Sequence, residues 1–301
     1  SDILSEFFFI IANLYSSEEQ YENSNLFLNI ANFLNPKFRF NTSLIVENNF
    51  SNKNYKKTKV LLNRFNKKDE IYYWYKIKKI TQIISQESNQ EEAINYINSK
   101  FSKIENPSTK ILFDMGNIAK GFKKYKSSIN YYDSVISRIE KNSITYADLL
   151  YRRGGSYERL GKYEESDKDL LKSLEINQDD AYVLNYLAYS WLERDYKIDT
   201  AIQMLDKAYE QRSNDPYIID SVGWGYYLVN DFVNSEKFLK QALQLMPDDP
   251  IVNDHYGDVL WQMGRKIEAK YYWESVLTFK DTEDEMKKNI YIKLLKGPNK
   301  T

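Results

Sequence analysis

The feature that most constrains this 301-residue chain is a small residue that returns about every 34 positions. Gly223 and Gly257 are 34 residues apart, and each lies in a similar aromatic-rich block. Traced along the chain, the same pattern gives the positions Ala12, Val46, Thr81, Gly116, Gly154, Ala188, Gly223 and Gly257. A repeat of this length is typical of a stack in which each unit packs only on its neighbours.

Two further columns test this register. Twelve residues after the small residue comes Ala, Ser or Thr in every repeat: Ser24, Thr58, Ala93, Ser128, Ser166, Ala201, Ser235 and Ala269. Four residues later comes an apolar or aromatic residue: Leu28, Leu62, Ile97, Tyr132, Leu170, Leu205, Leu239 and Trp273. The sixth repeat fits with a one-residue insertion between Asp195 and Asp199. Small residues let two helices approach closely while the large residue fills the groove beside them, so each repeat is predicted to be helix–turn–helix.

Capping residues mark the limits of the helices. Asp215-Pro216 and Asp249-Pro250 place Asp at the N-cap and Pro in the first turn, whereas Gly161 and Gly264 are typical of helix ends. The pattern predicts eight helix pairs, at about 5–38, 39–72, 74–107, 109–142, 147–180, 181–215, 216–249 and 250–283. An amphipathic capping helix is predicted over 285–296, followed by a disordered tail over 297–301.

The pattern resembles the tetratricopeptide repeat (TPR). One repeat matches its signature at Val222, Gly223, Tyr226, Phe232, Leu239, Ala242 and Pro247. The likeness extends over essentially the whole chain but is weaker before Lys110, where Val46 and Thr81 replace the small residue. It implies an all-α fold: one right-handed α-solenoid of about eight repeats over 1–296, with a C-terminal capping helix.

The C-terminal half is similar, more narrowly, to bacterial multi-TPR proteins. The stretches that carry this likeness are 150–154, 183–187, 219–224 and 252–258. Such proteins are often longer at the N-terminus and envelope-associated, so the resemblance implies the C-terminal portion of a protein of the periplasm or envelope, with the cytoplasm as the alternative. No apolar run reaches the roughly 18–20 residues of a membrane span, so no span is predicted.

Composition and motifs give no indication of catalysis. The chain has no Cys and a single His, His255, which is expected to be a structural or surface residue within a repeat helix. Gly154-Gly155 lies within a helix and is not a phosphate-binding loop. We therefore predict a non-enzyme with no metal and no cofactor. The 42 basic and 43 acidic side chains nearly cancel, which argues against nucleic acid as the main partner.

The resemblance implies that the first helix of each pair lines a concave groove. The candidate ligand-binding residues are Tyr151, Arg159, Tyr182, Asn185, Tyr189, Tyr217, Asp220, Trp224, Tyr227, Asp254, Asp258 and Trp261. This aromatic and acidic set favours a basic or apolar protein or peptide partner. It disfavours acidic peptide tails, because Asp220, Asp254 and Asp258 would repel them. Alternatively, some of the aromatic residues pack between repeats.

Three functions follow from this reading. The first is a non-catalytic scaffold that binds a protein or peptide, acting as an adaptor in a bacterial envelope or assembly process. The second is a regulatory or targeting arm of a larger enzyme whose catalytic part lies N-terminal to this chain. The third is self-assembly by end-to-end stacking. Separately, ten basic residues between Lys53 and Lys79 form either a solvated face or a patch for an anionic partner.

Overall fold

The computed structural model describes residues 2–280 and 282–298, and within these ranges it is all-α, with no strand. Seventeen helices are present in these ranges: α1 (Asp2–Ser17), α2 (Tyr21–Leu34), α3 (Arg39–Ser51), α4 (Tyr55–Leu62), α5 (Glu70–Glu87), α6 (Gln90–Phe101), α7 (Thr109–Gly121), α8 (Tyr125–Ile136), α9 (Ile144–Glu158), α10 (Tyr163–Ile176), α11 (Ala181–Leu192), α12 (Ile198–Gln211), α13 (Pro216–Leu228), α14 (Phe232–Leu245), α15 (Pro250–Gln262), α16 (Lys266–Thr278) and α17 (Asp284–Lys296). Helices α1 to α16 form eight successive helix–turn–helix pairs, and α17 packs on α16.

Within each pair, the small and large residues of the three sequence columns pack together. A Cβ atom added to Gly223 would lie 2.6 Å from the Leu239 side chain, and one added to Gly257 would lie 2.4 Å from Trp273. Both large residues are completely buried. The other large residues of the column are also buried, including Leu28 and Leu62 in the weaker N-terminal repeats. The columns therefore predicted the packing of the pairs correctly.

The helix caps have the expected chemistry. The Asp215 carboxylate accepts hydrogen bonds from the Tyr217 and Ile218 backbone N–H groups, and Asp249 does the same at the start of α15. Gly161 and Gly264 have φ of +70° and +82°, which glycine adopts without a steric penalty. The one-residue insertion of the sixth repeat lies between α11 and α12, where both Asp195 and Lys197 adopt positive φ.

The chain forms two compact units, Ser1–Ile111 and Leu112–Thr301. The boundary falls near the start of α7. Unit 1 contains a core around Leu28, Val46 and Leu62. Unit 2 contains one core around Leu187 and another around Trp273. A single array over 1–296 stays a prediction.

Helix α17 ends unit 2. Ile290 is completely buried in the same core as Trp273. The helix ends before Gly297, which has a φ of +82°. The Gly297 backbone lies so close to Trp261 that an added Cβ would be 2.5 Å from the indole ring. Gly297 and Pro298 thus have defined positions, whereas residues 299–301 of the expected disordered tail lie outside the described residues. Among the described helices, none is both long and apolar enough to cross a membrane.

Candidate functional site

Unit 2 has a cavity of about 660 Å³ between its last repeats and α17. First helices of the repeats supply Trp224, Tyr227, Asp254 and Asp258, and Glu193 follows directly after α11. The opposite wall is formed by α17 and the residue before it, with Glu283, Glu285, Met286, Asn289, Ile292 and Lys293. Four of the groove positions that the sequence identified in repeats seven and eight, Trp224, Tyr227, Asp254 and Asp258, therefore line this cavity, together with a capping helix that was not included in the candidate site.

Lys293 of α17 pairs with the two carboxylates that were expected to attract a basic ligand. Its Nζ lies 2.6 Å from Asp254 Oδ1 and 2.8 Å from Asp258 Oδ2. Burial raises the pKa of Asp258 to about 6, against the opposing charge of Lys293. Burial alone would lower the pKa of Lys293, but the two carboxylates raise it above its usual value. Asp254 and Asp258 therefore share a counter-ion within the protein, which the sequence analysis did not identify.

Three aromatic rings form a stack in the interior of unit 2. The His255 and Trp224 rings are stacked with centroids 4.1 Å apart, and Trp224 is stacked on Tyr227 with centroids 4.6 Å apart. The Trp224 Nε1–H donates to Glu193 at 2.6 Å. All three rings are buried, so both faces of Trp224 are covered. At these two aromatic positions the structure favours packing between repeats over contact with a ligand.

Asp220 is the partner of His255. The His255 Nδ1 lies 3.0 and 3.1 Å from the two Asp220 oxygens. Burial would lower the pKa of His255, but the carboxylate of Asp220, with smaller contributions from Asp254 and Asp258, raises this pKa above its usual value. His255 thus lies in a buried, structural environment, and the Asp220 carboxylate contacts His255 rather than facing an open groove.

A second cavity of unit 2, about 350 Å³ in volume, is adjacent to the first and shares Glu193 with it. Its lining includes Arg159, Asn185, Tyr189 and Tyr217 of the candidate set. Tyr217 and Ile251 are 65% and 53% exposed. They stand at the same position of consecutive repeats, six residues before the small residue.

The remaining candidate residues lie around these cavities. Tyr182 is the equivalent of Tyr217 in the sixth repeat and is also exposed. Tyr151 packs edge to face against Tyr186, with ring centroids 5.8 Å apart. Trp261 packs on Trp273 and under Gly297. Of the candidate set, Tyr182, Tyr217 and Arg159 are the most open to solvent, whereas Asp220, Trp224, Tyr227 and Asp258 are buried.

Unit 1 has its own cavity, of about 650 Å³, which the sequence analysis did not identify. Its lining is mostly apolar and aromatic: Phe9, Phe40, Leu44, Ile71, Tyr72, Trp74, Tyr75 and Ile111, with Glu47, Glu70, Lys78 and Lys110 among them. A signal was present in the sequence, because Phe40 and Tyr75 stand at the same repeat position as Tyr217. The cavity was not predicted because groove positions were assigned only in repeats five to eight and not in the weaker N-terminal repeats.

The basic run from Lys53 to Lys79 does not form one uniform surface. Lys79 is buried, pairs with Glu47 at 2.7 Å and lies 4.2 Å from the centre of the Phe50 ring. Lys59 pairs with Glu87, and Lys78 lines the unit 1 cavity. No group of three or more His, Cys, Asp and Glu residues suited to a metal ion occurs in the described part of the chain.

Comparison with known proteins agrees with this architecture. The family model of the tetratricopeptide repeat matches residues 147–180. A curated TPR repeat-containing protein of Pseudomonas aeruginosa is 32% identical over 111 residues, which is 37% of this chain. The match spans only 19% of that relative's length.

Two solved structures share the fold. A tetratricopeptide repeat protein from Parabacteroides merdae has a TM-score of 0.60 at 12% identity, over 96% of this chain and 98% of its own. A thermophilic TPR protein of Thermus thermophilus has a TM-score of 0.54 at 17% identity, over 62% of this chain and 100% of its own. The chain thus has the all-α solenoid fold of tetratricopeptide repeat proteins, and one of its repeats matches the family model. Proteins of this class are generally non-catalytic scaffolds that bind proteins or peptides.

Proposed function

We propose that this protein is a non-catalytic scaffold and that the two adjoining cavities of unit 2 bind a peptide segment of a partner protein. The observation that carries the proposal is the row formed by Tyr182, Tyr217 and Ile251. These exposed side chains occupy one position in three consecutive repeats, beside cavities that share Glu193. A partner that inserts apolar side chains between them would bury surface that is now in water.

The charges around the cavities favour a basic partner. Eight carboxylates line the two cavities: Glu158, Glu193, Asp220, Asp249, Asp254, Asp258, Glu283 and Glu285. Only Arg159 and Lys293 are basic. Five of these carboxylates have a basic partner: Asp254 and Asp258 pair with Lys293, Glu158 with Arg159, Glu283 with Lys123, and Asp220 with His255. The carboxylates still outnumber the basic groups, so the lining attracts cationic peptides, most strongly at low ionic strength. The basic and apolar preference therefore rests on the whole lining rather than on Asp254 and Asp258.

Fluorescence anisotropy with labelled synthetic peptides tests the proposal. Three peptides of equal length share alternating Leu and Phe residues and differ only in carrying Lys, Glu or Ser between them. We expect the Lys peptide to bind most tightly. The double variant Tyr217→Ala, Ile251→Ala is expected to weaken its binding at least about tenfold, since truncating two apolar contacts costs more than about 1.4 kcal/mol.

The matched control is Tyr271→Ala, Val233→Ala, which removes similar exposed side chains from second helices, outside the cavities. It is expected to bind like the unaltered protein. Equal weakening by both double variants, or tighter binding of the Glu peptide, would contradict the proposal. An adaptor role in a bacterial envelope or assembly process remains part of the proposal and requires the natural partner to be identified.

A further inference from the structure

The cavity of unit 1 extends across the first helices of several repeats. Its lining residues come from α1, α3 and α5 and from the chain around the start of α7. Phe9, Phe40 and Tyr72 form a row along it, in which neighbouring rings meet edge to face with centroids 6.4 Å apart. With a volume of about 650 Å³, the cavity therefore suits a long apolar ligand better than a single small ring.

Part of the apolar lining is exposed to water. Phe40 and Ile71 are 58% and 70% exposed, whereas Trp74 is almost completely buried in the wall of the cavity. A ligand that covers Phe40 and Ile71 removes their apolar surface from water, which is the main favourable contribution to binding in a cavity of this kind. The cavity is therefore able to bind hydrocarbon.

Three polar side chains of the lining already have hydrogen-bond partners inside unit 1. The Tyr75 hydroxyl donates to Glu47 at 2.6 Å, and the Ser43 hydroxyl donates to backbone carbonyls of its own helix. The Ser108 hydroxyl accepts from the Ile111 backbone N–H at 3.4 Å. A peptide would bring a backbone N–H and C=O with every residue, and each needs a partner when it is buried. An alkyl chain brings none, so this lining favours a lipid-like ligand over a peptide.

Two lysines line the cavity in its third and fourth repeats. Lys78 and Lys110 stand one repeat after Ser43 and Tyr75. The Tyr75 hydroxyl lies 3.3 Å from the Ser43 carbonyl oxygen, so these two repeat positions are neighbours across the stack. Two ammonium groups at neighbouring positions repel each other, and an anion bound beside them removes the repulsion. This end of the cavity therefore favours a negatively charged group.

The acidic residues of the lining do not cancel this preference. Glu47 is paired with Lys79 at 2.7 Å. Glu70 begins α5, eight residues before Lys78, which corresponds to about 12 Å along the helix axis. Between Lys53 and Lys79 the chain has ten basic residues and only two acidic ones. The charges of the cavity and of the sequence around it thus complement an anionic ligand.

We propose that the unit 1 cavity binds one long-chain carboxylate. Its alkyl chain covers the row of Phe9, Phe40 and Tyr72, and its carboxylate lies beside Lys78 and Lys110. Lys110 is exposed, so the carboxylate pairs with it while remaining partly in water, which keeps the cost of desolvating the two charges small. The inference is independent of the peptide-binding proposal, because every lining residue of this cavity belongs to unit 1.

Isothermal titration calorimetry on the full chain, with ligands below their micelle-forming concentrations, tests the proposal. Decanoate, decanol and decyltrimethylammonium share one alkyl chain and carry a negative, no and a positive charge. We expect one decanoate to bind per chain, more tightly than decanol, and decyltrimethylammonium to bind most weakly. Octanoate is expected to bind about fifteenfold more weakly than decanoate, because each buried CH₂ group tightens binding about fourfold.

The variant Lys110→Glu tests the charged end of the cavity. It is expected to weaken decanoate binding about tenfold and to leave decanol binding unchanged, because only the carboxylate interacts with this charge. The matched control is Lys56→Glu, which makes the same change in net charge at an exposed position of α4, outside the cavity. It is expected to bind decanoate like the unaltered protein.

The double variant Phe40→Ala, Ile71→Ala tests the apolar part. It is expected to weaken both decanoate and decanol at least about tenfold, since both ligands bury the same alkyl chain. Its control is Phe33→Ala, Val60→Ala, which truncates one aromatic and one aliphatic side chain on second helices, outside the cavity. All four side chains are exposed, so both double variants are expected to fold, which circular dichroism checks.

Several results would overturn the proposal. These are the absence of decanoate binding, tighter binding of decyltrimethylammonium than of decanoate, and equal effects of a cavity variant and its control. The unit 2 variant Tyr217→Ala, Ile251→Ala is expected to bind decanoate normally, and a loss there would place the carboxylate in unit 2. Displacement of decanoate by the Glu peptide of the anisotropy experiment would instead assign the unit 1 cavity to an acidic peptide.

Discussion

The cavities of the two units are built on the same repeat positions but differ in chemistry. Phe40 and Tyr75 line the unit 1 cavity at the position that Tyr217 and Ile251 hold in unit 2. Unit 1 surrounds this position mainly with aromatic and aliphatic side chains, whereas unit 2 surrounds it with carboxylates. The repeat thus fixes where a groove side chain lies, and the residue type chosen there determines what the groove attracts.

The buried ion pairs of the two units also differ. In unit 2, Lys293 is held between Asp254 and Asp258, whose side chains are mostly or almost entirely buried. In unit 1, the Lys79 side chain is more fully buried than that of Lys293, but the side chain of its partner Glu47 is 40% exposed. A partly exposed carboxylate can return to water when its partner is removed, whereas a buried one cannot. Removing Lys293 is therefore expected to destabilise the fold of unit 2 more than removing Lys79 destabilises unit 1.

The largest expected effect is that of Lys293→Met. This change leaves Asp254 and Asp258 without a counter-ion, and loss of one partner of a buried pair costs about 3–5 kcal/mol. Lys79→Met in unit 1 leaves a solvated Glu47 and is expected to cost about 1 kcal/mol. Hydrogen exchange followed by mass spectrometry reports each unit separately. Equal loss of protection in the two units would show that burial of the carboxylate is not what distinguishes them.

The cost of Lys293→Met is expected to depend on pH. The pKa of Asp258 is already raised to about 6 by burial, and removing Lys293 raises it further. A raised folded-state pKa means that the folded protein binds a proton more tightly than the unfolded chain, so lowering the pH from 7 to about 5 stabilises the folded variant relative to neutral pH. We expect urea unfolding to give a smaller difference from the unaltered protein at pH 5 than at pH 7. A difference that is constant or larger at pH 5 would exclude an ionised Asp258 as its source.

Gly257→Ala tests the close packing of unit 2. The added Cβ would lie 2.4 Å from the buried Trp273 indole, so the helices must separate, at an expected cost of about 2–3 kcal/mol. The first repeat of unit 1 already has Ala12 at this position, fully buried beside Leu28. Ala12→Gly is therefore expected to cost only about 1 kcal/mol, from helix propensity and a small void. Thermal unfolding of both variants checks this order, and the reverse order would mean that α15 and α16 adjust without strain.

The sequence predicted the repeats well because packing inside a helix pair is local. Gly257 and Trp273 are 16 residues apart, and the columns that contain them return in every repeat. The site was predicted less well because its chemistry depends on contacts between repeats. The stacking of His255 on Trp224 and the pairing of Lys293 with Asp254 join residues 31 and 39 positions apart, and α17 follows no repeat column. The sequence period thus locates a groove position, but it does not reveal which residue of another repeat or of α17 pairs with a charged side chain there.

The smallest expected effect is that of Trp224→Phe. Phenylalanine keeps an aromatic ring between His255 and Tyr227 but removes the Nε1–H that donates to Glu193 at 2.6 Å. The loss of one hydrogen bond to a carboxylate costs about 1.5–3 kcal/mol when the acceptor stays buried, and less when water replaces the donor. Glu193 lines both cavities of unit 2 and is open to water, so we expect the free energy of unfolding in urea to fall by only about 1 kcal/mol.

The counterpart in unit 1 is Tyr75→Phe, which removes the hydroxyl that donates to Glu47 at 2.6 Å and should cost a similar amount. If Trp224→Phe costs much more than Tyr75→Phe, then Glu193 is held away from water, and its carboxylate is a fixed part of the unit 2 interior rather than a group available to a ligand.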